Sequence, residues 1–126
     1  MARRILLTGA SGLLGKRVLH ELAAMGDVFS PGLDEFDLLR PETIDAVLAS
    51  ARPDLVIHLA AETRVDHCEG HAEEALRING EGTERIAESC RALGARLVLM
   101  STDYVFDGAK GAPYREEDPT GPLNVY

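Results

Sequence analysis

Lysine is almost missing from this sequence: of its 13 basic residues eleven are arginine, and only Lys16 and Lys110 are lysine. The arginines are scattered, with no run that could track a phosphate backbone, and the formal net charge is −8. A surface of that sign repels polyanions, so no nucleic-acid partner is expected. Cysteine is scarce too. Cys68 and Cys90 form no CxxC pair, and two cysteines make no disulfide framework. Long apolar runs are lacking. After Met1-Ala2-Arg3-Arg4 the stretch Ile5-Leu6-Leu7 stops at Thr8-Gly9, too short for the core of a signal peptide. No run approaches a membrane span, so no membrane partner is expected. These absences lead to the expectation of a cytoplasmic protein with free thiols.

What is present is ordinary for a globular domain. The chain has 126 residues, 45% of them hydrophobic and 27% charged, which suits one domain with a real core. Arg4 to Leu7 is a short apolar run ended by glycine and reads as a buried parallel strand. Leu14, Val18, Leu22 and Met25 then recur at helical spacing, with Gly26 expected to end that helix. Asp27 to Pro31 reads as a second strand, weakened by Pro31 and Gly32. Pro41 suits the first position of a helix whose face carries Ile44, Val47, Leu48 and Ala51. Leu55 to Ala60 is the clearest buried strand. Ala72 to Leu93 reads as one long helix, with Leu76, Ile86, Ala87, Cys90 and Leu93 facing inward and Gly80 and Gly82 interrupting it. Gly94 closes it, and Arg96 to Met100 is the next strand. Asp103 to Val125, rich in Gly, Pro and acidic residues, reads as an ordered irregular loop. Strand and helix alternate throughout. That order predicts an α/β fold: a Rossmann-type, doubly wound parallel sheet with helices on both faces.

The chemistry-bearing feature of this pattern is Thr8-Gly9-Ala10-Ser11-Gly12-Leu13-Leu14-Gly15, a GxxGxxG run directly after a strand and opening a helix. The first glycine permits the tight turn, the second lets the backbone approach a pyrophosphate, and the third lets helix and sheet pack closely. Helix N-terminal amides and the helix dipole favour the anion, and Ser11 adds a hydroxyl. His67, Cys68, Glu69 and His71 form a second cluster, with the two histidines at i, i+4. Gly70 weakens a helix there. The cluster reads as a solvated helix start with Asp66 as N-cap, and no metal site is expected.

The Thr-Gly-x-x-Gly-x-x-Gly spacing resembles the extended branch of the short-chain dehydrogenase/reductase superfamily. Further stretches resemble the dTDP-4-dehydrorhamnose reductase family within it. These are Phe36-Asp37-Leu38 before Pro41-Glu42, Ala60 to Asp66, Asn79-Gly80-Glu81-Gly82-Thr83, and Ser101-Thr102-Asp103-Tyr104-Val105-Phe106-Asp107-Gly108. Pro113-Tyr114 and Pro122-Leu123-Asn124-Val125-Tyr126 follow. The resemblance implies reduction of the 4-keto group of a nucleotide-linked deoxysugar by a nicotinamide cofactor, in dTDP-L-rhamnose formation. It implies that Gly9, Ser11, Gly12, Leu13 and Leu14, with Gly15 closing the loop, hold the pyrophosphate. Asp37 and Leu38 would flank the adenine, and Ala60, Ala61 and Thr63 the ribose and nicotinamide. Asn79 would lie near the nicotinamide pocket, Thr102 would be the catalytic hydroxyl and Tyr126 the catalytic tyrosine. A nucleotide-sugar is the implied substrate.

Two departures from the family's pattern stand out. The family carries a lysine four residues after the tyrosine, where it would lower a phenol whose ordinary pKa is about 10. Neither Lys16 nor Lys110 occupies that position. The expectation is a truncated NAD(P)-binding domain over 1–126, without its substrate-binding C-terminal part and inactive alone. Its sheet would have a free edge that favours a homodimer. Second, the carboxylate that binds an NAD ribose near the end of the second strand is replaced by Gly32, with Asp34 and Glu35 further on. NADP(H) is therefore expected ahead of NAD(H). Two other readings remain: a non-catalytic NADP(H)-binding module, since regulatory subunits of methionine adenosyltransferase resemble the same family, and a sugar-nucleotide epimerase or dehydratase. The Ser101–Gly108 run speaks against the last.

Overall fold

The computed structural model describes residues 2–126; Met1, the first residue of the domain expected from the sequence, lies outside the described residues. Four strands, β1 (Arg3–Thr8), β2 (Gly26–Phe29), β3 (Leu55–His58) and β4 (Arg96–Leu99), form one parallel sheet in the order β2-β1-β3-β4. β1 lies between β2 and β3, with Ile5 opposite both Val28 and Leu55. The helices are α1 (Leu13–Leu22), α2 (Pro41–Ala51), α3 (Val65–Gly70), α4 (Ala72–Leu76) and α5 (Gly82–Leu93).

Side chains alternate along β1, and the two faces of the sheet bury separate clusters. Leu6 packs with Val56, Ile44, Leu48, Phe36, Ile86 and Cys90, so α2 and α5 cover that face. Ile5, Leu7 and Leu55 pack with Leu22, Val18 and Leu19 of α1 on the other. Helices on both faces of a parallel sheet are the doubly wound Rossmann arrangement that the alternation predicts.

Several boundaries differ from the sequence expectation for identifiable reasons. Gly26 does not end α1; the helix stops at Leu22, and Gly26 is the first residue of β2, paired with Arg3. A Cβ at Gly26 would collide with the Arg3 carbonyl oxygen, so close strand pairing needs the glycine. The long helix from Ala72 is interrupted, as its glycines suggest, but by a single π-turn, Arg77–Glu81, that joins α4 to α5. Ala75, Ile86 and Cys90 face the core, whereas Leu76, Ala87 and Leu93 are exposed. Asp66 is not the N-cap of α3. That position is Arg64, and Asp66 lies in the first turn of the helix, where a carboxylate suits the helix dipole. Pro41 does open α2, and Gly94 ends α5 in the left-handed conformation.

After β4 the chain makes a 3-10 turn, Asp103–Val105, and then runs without regular structure. That run is ordered by its own contacts. Phe106 stacks on Tyr114 at 4.1 Å between ring centroids, and the Tyr114 hydroxyl donates to Asp107 Oδ1 at 2.8 Å. Gly121 N–H donates to Val105 O. β4 has a neighbour on one side only, and Val98, Leu99 and Met100 are about half exposed. No helix among the described residues is long and apolar enough to cross a membrane.

Candidate functional site

From β1 the chain passes through α1 to β2 on one side; from β2 it passes through α2 to β3 on the other. A crevice therefore opens where the order reverses, above the C-terminal ends of β1 and β3. The glycine loop lies there. Gly9 has φ +72°, and a Cβ on it would come within 2.7 Å of the Ala60 nitrogen. A Cβ on Gly15 would land on the Gly9 carbonyl oxygen. Both positions hold the loop flat against neighbouring backbone, which no residue with a side chain could do. Gly12 N–H donates to Gly9 O at 3.1 Å, closing the turn, and no side chain caps the N-terminus of α1. Its first amides are thus left for an external anion. Ser11, Leu13 and Leu14 are exposed beside them, Leu13 almost fully at 97%.

Two cavities share Ala60, and the glycine loop lines the first of them. One, about 460 Å³, is lined by Thr8, Gly9, Ser11, Gly32, Phe36 and Ala60, among others. None of its lining residues is acidic or basic. Glu35 folds back so that its Oε2 accepts the Gly32 N–H at 3.2 Å. The other cavity, about 260 Å³, brings Ala60, Ala61, Thr63, Asn79, Thr102 and Tyr126 together. Residues 63 positions apart in sequence, Thr63 and Tyr126, thereby line one cavity. Asp37 and Leu38 line neither cavity. Leu38 is buried under Gly82, and the Asp37 carboxylate accepts the Leu39 N–H at 2.9 Å. The larger apolar groove between β2 and α2, lined by Val28, Phe29, Val47 and Pro53, lies away from these groups.

The polar groups of the smaller cavity are held firmly. Asn79 makes two bonds to Glu62: its Oδ1 accepts the Glu62 N–H, and its Nδ2 donates to the Glu62 carbonyl, both at 2.9 Å. The Glu62 carboxylate pairs with Arg64 at 2.6 Å. The Arg64 side chain and N–H hold that carboxyl well below the usual range, at about 2. The Thr102 hydroxyl accepts the Tyr104 N–H at 3.2 Å and donates to Asp103 Oδ1 at 3.3 Å. Tyr126 meets Tyr104 edge to face at 5.9 Å. Val125 N–H donates to Glu69 Oε1 at 2.7 Å. Lys110 is committed elsewhere, to Asp118.

Beneath this cavity is a set of residues that sequence reasoning missed. Thr8 and His58, at facing strand ends, are both buried, and Thr8 Oγ1 lies 2.7 Å from His58 Nδ1. Leu59 N–H and Ala60 N–H both donate to Thr8 Oγ1 at 3.2 Å. His58 Nε2 lies 3.2 Å from Thr83 Oγ1 on α5. Burial pushes the imidazole down to about 4, so it is neutral at physiological pH. His67 and His71 are stacked at 3.9 Å, with His71 Nδ1 against the His67 carbonyl, and no group of three metal-ligating residues occurs among the described residues.

A glycine-built cradle at the switch point of a parallel sheet defines a Rossmann-type dinucleotide-binding domain. More narrowly, the chain belongs to the RmlD substrate binding domain family, whose model matches residues 3–126. The matched residues here build the Rossmann unit. A dTDP-4-dehydrorhamnose reductase of Burkholderia thailandensis is 44% identical over 123 residues, which is 98% of this chain and 41% of that protein. Methionine adenosyltransferase 2 subunit beta of Bos taurus is 39% identical over 132 residues, covering 98% of this chain and 39% of that protein. The crystal structure of dTDP-4-dehydrorhamnose reductase from Bacillus anthracis in complex with NADP matches with a TM-score of 0.95 at 35% identity. It covers 100% of this chain and 45% of that one. The chain therefore spans about two fifths of the length of the curated relatives it matches.

Proposed function

We propose that this chain is the cofactor-binding half of an NADPH-dependent reductase acting on the 4-keto group of a dTDP-linked deoxysugar, and that it carries two of the catalytic side chains. The observation that carries the reading is that the cavity lined by the glycine loop and the cavity holding Thr102 and Tyr126 share Ala60. The cradle fits a pyrophosphate because the first amides of α1 carry no side-chain cap, while Gly9 and Gly15 keep the loop close against neighbouring backbone. When bound, the reduced nicotinamide supplies a hydride.

The residues divide the remaining work. Gly9, Ser11 and Gly12 with the free amides of Leu13 and Leu14 bind the pyrophosphate, and Gly15 lets α1 start close enough to do so. No charged side chain lines the cavity at Gly32, because the Glu35 carboxylate is held on the Gly32 N–H and lines the β2–α2 groove instead; this supports NADPH over NADH. Asn79 acts by fastening the Ala60–Arg64 loop through Glu62. Thr102 orients the substrate carbonyl with its hydroxyl, and Tyr126 delivers a proton to the same oxygen. A cation beside the phenol would favour that transfer by lowering its ordinary pKa of about 10.

The test is consumption of NADPH by the full-length protein that contains this half, followed by its absorbance, with dTDP-4-dehydrorhamnose as substrate. Turnover that falls about a hundredfold in Tyr126→Phe supports the assignment. The 39% identity to methionine adenosyltransferase 2 subunit beta favours a second reading, a non-catalytic NADP(H)-binding regulatory module. Tight NADPH binding with no turnover of any 4-keto sugar nucleotide would select it.

A further inference from the structure

Hydrogen-bond counting fixes the direction of each proton beneath the crevice. Thr8 Oγ1 accepts two backbone N–H groups, from Leu59 and Ala60, and so uses both of its lone pairs. Its own hydrogen must then go to His58 Nδ1, 2.7 Å away. A neutral imidazole that accepts at Nδ1 carries its hydrogen on Nε2. That hydrogen points at Thr83 Oγ1, 3.2 Å away. Thr83 is thus an acceptor toward His58, and the hydrogen of its own hydroxyl has no protein acceptor among the described residues. Thr83 is half-buried and lines the same cavity as Thr102 and Tyr126. The π-turn Arg77–Glu81 leads into α5 one residue before it, and Gly82, the first residue of α5, packs against Leu38.

We propose that Thr83 is a cofactor-contact residue, whose hydroxyl donates to an uncharged oxygen of the nicotinamide nucleotide half, and that His58 and Thr8 are positioning residues which aim it. The inference rests on the dinucleotide reading above and extends it to a residue outside the glycine loop and the Thr102–Tyr126 pair. The bond from the buried imidazole holds the Thr83 oxygen in place, and its hydroxyl hydrogen, with no protein acceptor among the described residues, is free to turn to a ligand in the cavity. A strand-end histidine is buried here because it passes hydrogen-bond direction from β1 to α5, not because it titrates in the reaction.

The experiment compares two ligands: NADPH, and the same molecule lacking nicotinamide, 2′-phosphoadenosine 5′-diphosphoribose. Dissociation constants are measured for the wild-type protein, Thr83→Val and Thr83→Ser. Thr83→Val keeps shape and removes the hydroxyl. It is expected to weaken NADPH binding by about three- to tenfold, the value of one neutral hydrogen bond, and to leave the truncated ligand unchanged. Thr83→Ser, which keeps the donor, stays close to wild type for both ligands. His58→Gln, which retains a donor toward Thr83, should bind NADPH better than His58→Leu, with thermal melting confirming that both are folded. Equal loss for the two ligands in Thr83→Val, or no loss for either, would overturn the proposal while leaving the dinucleotide reading intact. Failure of the wild-type protein to bind either ligand would overturn that reading and this proposal with it.

Discussion

Glu69 accepts the backbone N–H of Val125 at 2.7 Å, so the residue before Tyr126 is fastened to α3. The tyrosine thereby owes its position to a carboxylate 57 residues earlier in the chain. Replacing Glu69 with Ala is expected to speed hydrogen exchange at the Val125 amide by about tenfold, as befits loss of a bond to a charged acceptor. Exchange that does not change in the variant would mean that other contacts hold the segment.

Gly15→Ala tests the cradle. The added methyl would collide with the Gly9 carbonyl oxygen and lie 2.8 Å from Ala10 Cα, neither of which can retreat without opening the loop. We expect a loss of about 1–3 kcal/mol in stability, typical of overpacking, together with loss of NADPH binding. Calorimetry and a binding titration would check the two effects separately. Unimpaired NADPH affinity in a folded variant would refute the close approach.

His58 makes stability depend on pH in a defined window. Its imidazole is held at about 4 by burial, against an ordinary 6.5 when unfolded. Between those values the unfolded chain binds the additional proton, so stability is full above 6.5 and falls as the pH drops toward 4. The span corresponds to about 3 kcal/mol. Denaturant titrations from pH 7 to pH 4 should show the decline, and His58→Gln should flatten it. A wild-type profile as flat as that of the variant would mean that the imidazole is not desolvated.

Gly32→Asp should change cofactor preference. Nothing lies within 4 Å of a Cβ built at Gly32, so the substitution is tolerated sterically. A carboxylate there would repel a 2′-phosphate and suit a 2′-hydroxyl. The ratio of NADPH to NADH affinity is expected to drop by about tenfold or more, on the scale of one like-charge contact. An unchanged ratio would mean that the 2′-position lies elsewhere.

The fold was legible because its determinants are local. A run such as Leu55-Val56-Ile57, a Pro41 at a helix start and a GxxGxxG turn each act within a few residues, and their alternation leaves few topologies. The boundaries around Gly26 were not legible, since a glycine before a strand and a glycine after a helix look alike in sequence. Only the nearness of the Arg3 carbonyl separates them. Thr102 and Tyr126 could be singled out through a resemblance, because nothing in an isolated threonine or tyrosine marks it as reactive. The link between Thr8, His58 and Thr83 escaped notice for a different reason. They lie 50 and 25 residues apart, and each is unremarkable until the sheet register brings Thr8 opposite His58. A histidine inside an otherwise apolar strand was the one available signal. The Asn79–Glu62 clamp is similar: the sequence offered the asparagine but not its backbone partner.

Ala60 belongs to both cavities, and its amide is anchored by the Thr8 hydroxyl. A dinucleotide lying along the crevice would have its fulcrum there, on main chain and not on a side chain. Substitutions at Gly32 or Thr83 would each unbalance one arm. A substitution at Thr8 would tilt both arms at once, weakening adenosine and nicotinamide fragments in parallel.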